Sequence, residues 1–236
     1  MELRVIFTPY GSPEVGPEYL KPTFFLDSDH PSVMEFARNA VGPETEPVRK
    51  AIRLFYAVRD GFRYDPFSIW LSREAFKSSS VIAQDYGFCI TKAVLLAAAA
   101  RAVGIPCAIG LSDVINHFTS ERLKEVMGHR PIFIHHGYAA LHLNGRWVKA
   151  APAFNIELCR RFGVPPTEFD GLSDAVLQKY DAHNNLHMEY LRDHGFWSDF
   201  PFNRVKDDME GYYPAGFNYG SRAHSDKHFD TSRSDN

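Results

Sequence analysis

Three cysteines and eleven histidines supply this 236-residue chain with its soft nucleophiles and neutral-pH bases. Cys89 stands out by its place. It follows Gly87-Phe88 and opens the run CITKAVLLAAAARAV, which reads as a helix from about Cys89 to Val103, stopped at Gly104 with Pro106 beyond. A helix start carries unpaired N–H groups and a positive partial charge, and both favour a thiolate. The same N–H groups could hold an oxyanion on a substrate carbonyl, and Gly87 allows close backbone approach. The bland alternative is a small buried hydrophobe, which is how Cys107, in an apolar strand-like run, and Cys159, in NIELCRRF, both read. A thiol catalyst also needs a base brought near it by the fold. His136, ahead of an Asn144-Gly145 turn, would be held rigidly on a strand, while alternation sends its neighbour His135 to the opposite face. His142 shares the face of His136 and reads as an edge or solvent residue.

The elements that must position these residues follow from pattern. Pro9, Gly11, Pro13, Gly16, Pro17 and Pro22 make residues 9–22 a loop or arm, and Thr23 to Leu26 reads as a short strand. One helix is predicted from Pro31 to about Ala40, capped near Asp29. A second begins near Pro47, carries Val48, Ile52 and Phe55 on one stripe, and ends at Gly61. Residues 81–88 read as a loop into the cysteine helix, which is apolar over most of its circumference and therefore central and buried. A strand from Cys107 to Leu111 comes next, then a short helix near Ser120 to Val126. Ile132 to Leu143 and Arg146 to Ala150 form a hairpin about Asn144-Gly145. Residues 156–200 read as helices and loops, and 219–236 as a disordered tail. The expected fold class is α+β, a central buried helix carrying the nucleophile packed on an antiparallel sheet, in one domain over 1–218.

Together the blocks GFCITKAVLLAAAARAVGIPCAIGL and HGYAALHLNGRWVKAAP, with VRDGFRYDP upstream, resemble the transglutaminase-like, papain-like thiol superfamily over residues 45–155. The resemblance implies a Cys-His-Asp triad in which Cys89 matches the nucleophile and His136 the base. It also implies chemistry through a cysteine thioester on amide or acyl groups. The substrate would be a small molecule, peptide or protein, and no cofactor is called for. The position of the family's Asp is Ala151 here. Asn155, in PAFN, is the nearest replacement: it could orient the imidazole, or merely cap a helix beginning at Ile156.

Composition limits the alternatives. A net charge of −3 gives no footprint for nucleic acid or an anionic membrane surface. There is no run of about 18 apolar residues and no leader pattern. The odd, widely spaced cysteines suit a reducing, cytoplasmic setting. Two rival readings stand beside the enzyme. One is a non-catalytic binding domain, motivated by Ala151. The other is a metal enzyme in which His183, His187 and His194 line one helix face; Glu189 stands outside any H-E-x-x-H frame.

Overall fold

A computed structural model describes residues 15–117, 119–177, 183 and 185–214. The tail expected at 219–236 and the first part of the arm at 9–22 lie outside these residues.

Helices α1 (Pro31–Val41) and α2 (Pro47–Gly61) both carry proline in the first turn. Proline's missing N–H costs nothing there. The N-cap of α1 is His30, whose ring nitrogen accepts the Ser32 N–H, rather than Asp29. The Glu46 carboxylate caps α2 by accepting from Val48 and Arg49. Each helix buries one stripe: Val33, Ala37 and Val41 on α1, and Ala51, Leu54, Phe55 and Val58 on α2.

Two short parallel strands, β1 (Arg63–Tyr64) and β2 (Tyr86–Gly87), bracket α3 (Ser78–Gln84). That helix occupies part of the segment read as loop. Thr23 to Leu26 is a turn rather than a strand, closed by Thr23 N–H to the Leu26 carbonyl. The cysteine helix α4 (Cys89–Ala102) packs against α1, α2, α3 and three strands, so almost all of its residues are buried. Its alanines permit these close approaches on every side.

The sheet is antiparallel, in the order β5–β4–β3–β6. Its strands are β3 (Cys107–Asn116), β4 (Ile132–Leu143), β5 (Arg146–Ala150) and β6 (Met188–Trp197). The Asn144-Gly145 hairpin is present, both residues having positive φ as a tight turn needs. Three further α-helices occur among the described residues: α5 (Glu121–Val126), α6 (Ile156–Phe162) and α7 (Phe202–Tyr212). The largest departure from expectation is β6, in a stretch read as helices and loops. Its sequence MEYLRDHGFW has no clean alternation, because much of the strand is only half-buried on both faces. The α+β class stands. Ile109, Leu111, Ala139 and Leu141 face α4 in the main core, while Ala108, Tyr138, Ala140 and Ala151 pack on the other face. No helix among the described residues is long and apolar enough to cross a membrane.

Candidate active site

Cys89 is the first residue of α4. The helix start is fixed by Thr91, whose hydroxyl accepts the Phe88 N–H at 3.0 Å. Gly87 is glycine because a Cβ there would stand 2.7 Å from that hydroxyl. Strand β4 meets the same turn. A Cβ on Gly137 would lie 2.6 Å from Ile90 Cα and 3.0 Å from the Cys89 carbonyl oxygen. The strand and the helix start therefore touch backbone to backbone, one residue after His136. β5 pairs with β4 only as far back as Ala139, which leaves the edge of β4 beside Gly137 free of that partner.

The electrostatics of the thiol set two effects against each other. The N–H groups of Gly137, Ile90 and Cys89 itself pull its pKa down, but burial outweighs them and holds it at about 11. Cys89 retains some accessible surface, so it is the density of its surroundings, more than complete enclosure, that disfavours the charge. The side chain has three phenolic neighbours, Tyr64, Tyr190 and Tyr213, each of whose pKa values is raised in part by the cysteine's charge. Tyr213 takes the Ile134 N–H at 3.0 Å, and Tyr190 takes the Leu177 N–H at 3.0 Å.

His136 is 4% exposed, and burial alone pushes its pKa down to about 4. Its ring stands edge-on to Tyr190 with centroids 6.4 Å apart, so the imidazole and the thiol share that tyrosine as a neighbour. Among the described residues neither ring nitrogen has a hydrogen-bond partner, so the thiol and the imidazole are not hydrogen-bonded. His136 also lines a small cavity of about 40 Å³, whose other walls include Tyr64, Phe133, Phe154, Leu158 and Met188.

Asn155 does not reach the imidazole. Its Oδ1 accepts the Tyr64 N–H at 3.2 Å and its Nδ2 donates to Glu157 at 2.8 Å. It holds the N-cap position of α6 without a capping hydrogen bond from its side chain, because the amide is turned back to β1. Ala151 is buried beside Tyr138 and supplies no polar atom. On the His136 row of the sheet, Ser112 pairs with His136 and Asp193 pairs with Ser112. Asp193 thus lies two strands from His136, about 10 Å, and is engaged by Tyr138, Lys149 and the Gly195 N–H.

His183, His187 and His194 are not one helix face: His183 is exposed in a turn, His187 is buried ahead of β6, and His194 is on β6. Cys107 and Cys159 are buried, with burial pushing their thiols to about 12 and about 11. Lys92, one turn along α4 from Cys89, was not singled out from sequence. It is fully buried and donates to the carbonyls of Arg59, Phe62 and Ala153 at 2.8, 2.8 and 2.9 Å. A lysine inside an otherwise apolar helix was its signal. Nothing local marks Tyr190 or Tyr213 as neighbours of the thiol.

The family model of the transglutaminase-like superfamily matches residues 34–152, which takes in α2, α4 and the β4–β5 hairpin. This chain belongs to the transglutaminase-like superfamily. Among solved structures, a candidate cysteine protease from Cytophaga hutchinsonii is 14% identical with a TM-score of 0.45, covering 83% of this chain and 58% of its own. A candidate protease from Parabacteroides distasonis is 14% identical with a TM-score of 0.36, covering 54% of this chain and 26% of its own. The chain thus spans little more than half of the first and about a quarter of the second. No curated protein matches it.

Proposed function

We propose that this protein is a cysteine hydrolase or acyltransferase that works through a thioester on Cys89, with His136 as its base. The observation that carries this reading is the backbone contact of Gly137 with the first turn of α4, which sets the thiol beside the residue that follows His136. At rest the thiol and the imidazole are both neutral. The thiol proton therefore passes to His136 as the sulfur attacks the substrate carbonyl, rather than from a preformed ion pair. Closing that hydrogen bond falls to the substrate complex, since such contacts tighten when substrate binds. The N–H groups at the helix start face the developing oxyanion. Collapse then expels the leaving amine or alcohol, which takes the proton from His136. Water or an amine resolves the thioester. The apolar, aromatic cavity along His136 favours an acyl donor with an apolar or aromatic side group.

A degenerate binding domain is the second reading, favoured by Ala151 and by an imidazole without a hydrogen-bond partner among the described residues. One experiment separates the two. The protein is incubated with activated acetyl and phenylacetyl esters, quenched in acid and weighed intact. An acyl adduct mapping to Cys89, larger with phenylacetyl, absent in Cys89→Ala and strongly slowed in His136→Ala, is the expected result. Equal acylation of Cys89→Ala would refute the enzyme.

A further inference from the structure

A second cluster of chemistry-bearing side chains lies at the other end of β4 from the hairpin turn. Ser112 pairs with His136 and Val114 with Phe133, so Ile134 and His135 together oppose the single residue Asp113. That is a β-bulge, and His135 sits in it with φ of 59°. A non-glycine residue holds this conformation at a cost, and bulges of this kind re-aim a side chain. The re-aimed His135 ring packs against His194 of β6, with centroids 4.9 Å apart. Its Nε2 is 2.8 Å from the Asp208 carboxylate of α7. His194 Nε2 is 2.8 Å from Asp113 Oδ1, which also accepts the His135 backbone N–H at 3.1 Å.

Both histidines donate from Nε2 to a carboxylate, which leaves a lone pair on each Nδ1. Both Nδ1 atoms are buried and have no hydrogen-bond partner among the described residues. The His135 lone pair belongs to the same cluster as the His194–Asp113 hydrogen bond, and a cation in place of that shared proton would take His135 Nδ1, His194 Nε2 and the Asp113 carboxylate as ligands. One ligand atom from each of Asp113, His135 and His194 lies within 4.8 Å of the other two, the only such group among the described residues. Bonds of about 2.0–2.1 Å at a tetrahedral angle would place ligand atoms about 3.4 Å apart, so small shifts of these side chains, among them a slight opening of the 2.8 Å His194–Asp113 contact, form the site. Asp208 stands behind His135 as a carboxylate behind a metal-bound imidazole commonly does.

We propose that Asp113, His135 and His194 bind one divalent transition-metal ion of the Zn²⁺ or Co²⁺ kind. Nitrogen donors with one carboxylate suit these ions over Ca²⁺ or Mg²⁺, which take oxygen. The three ligands come from the adjacent strands β4, β3 and β6, and Asp208 adds α7. An ion there fastens the strand β6 and the helix α7 to the bulge that precedes His136. The site is separate from the Cys89 pair, and Tyr213 feels the charge of both Cys89 and Asp113.

The test uses the full chain, stripped with a chelator and titrated with CoCl₂ and ZnCl₂. The expected result is about one ion per chain, Co²⁺ absorption bands in the visible, and a rise in Tm of about 5–10 °C at a hundredfold excess over Kd. His194→Gln should weaken binding at least tenfold, and Asp208→Asn about tenfold or more. Asp208 is half-exposed, so its variant stays informative even if His194→Gln folds poorly. His117→Gln, at the separate His117–Glu189 pair, should bind as the parent does. Sub-stoichiometric binding, or equal affinity in parent, His194→Gln and Asp208→Asn, would overturn the inference. So would a thiolate-to-cobalt band that vanishes when Cys89 is alkylated, since the ion would then sit at the other site.

Discussion

Gly137→Ala tests the contact on which the candidate site depends. A methyl group there lands 2.6 Å from Ile90 Cα and 3.0 Å from both the Ile90 nitrogen and the Cys89 carbonyl oxygen, where ordinary contact begins at 3.4 Å. The strand and the helix start must therefore part by about 0.8 Å or more. Neither yields cheaply. The obstacle is backbone rather than the end of a flexible side chain, and α4 is gripped by three helices and three strands. Overpacking of this kind costs about 1–3 kcal/mol. The same displacement draws the Gly137 N–H away from the sulfur and shifts His136 relative to it. A shift near 1 Å costs about a hundredfold in rate. Urea unfolding reads the first effect, and the rate of Cys89 acylation by an activated ester, followed by intact mass, reads the second. Gly211→Ala is the control. That glycine is exposed on α7 with nothing within 4 Å of the added carbon, so alanine should stabilise by about 0.5–1 kcal/mol and leave acylation unchanged. If Gly137→Ala unfolds at the parent's urea midpoint and is acylated at the parent's rate, the backbone contact does not hold the site.

Iodoacetamide should label Cys89 ahead of Cys107 and Cys159, because it alone of the three is not buried. With its thiol held at about 11, the rate should climb about tenfold per pH unit above neutrality; a plateau centred below about pH 7 would reveal a preformed ion pair and refute the neutral resting state. His136 is held at about 4 when folded against about 6.5 unfolded. The unfolded chain thus binds the extra proton first, and stability is whole above about pH 6.5 and falls toward pH 4, by about 3 kcal/mol. Urea midpoints of the parent and His136→Gln across that range measure it, and parallel curves would exclude His136 as the cause. Asn155→Ala should cost about 1–2 kcal/mol through the lost tie to Tyr64 and leave the rate of Cys89 alkylation unchanged; a large fall in that rate would restore its orienting role. Lys92→Met strands three buried carbonyls and should lower stability by about 3 kcal/mol or more, read by the same unfolding curves.

Local signals were enough for most of the scaffold. Prolines at helix starts, Gly104 after α4 and the Asn144-Gly145 turn each act within a few residues, so the ends of α1, α2, α4 and the hairpin could be read directly. The unbroken apolar surface of CITKAVLLAAAARAV required a central helix, whatever covered it. Strand β6 was not legible, since its pattern answers to two half-solvated faces and its register comes from β3 rather than from its own alternation. The candidate site divides in the same way. Cys89 at a helix start and His136 on a strand are local facts. The pKa of the thiol is not, because backbone N–H groups at the helix start and on β4 lower it while burial in the folded chain raises it by more. Strand alternation alone placed His135 opposite His136. The bulge at Ile134-His135, which breaks that alternation and carries His135 to His194 and Asp208, exists only through pairing with β3. Asn155 sits four residues beyond Ala151, near enough in sequence to replace it, but its amide was already committed to β1, a strand 91 residues away that only the folded chain brings alongside.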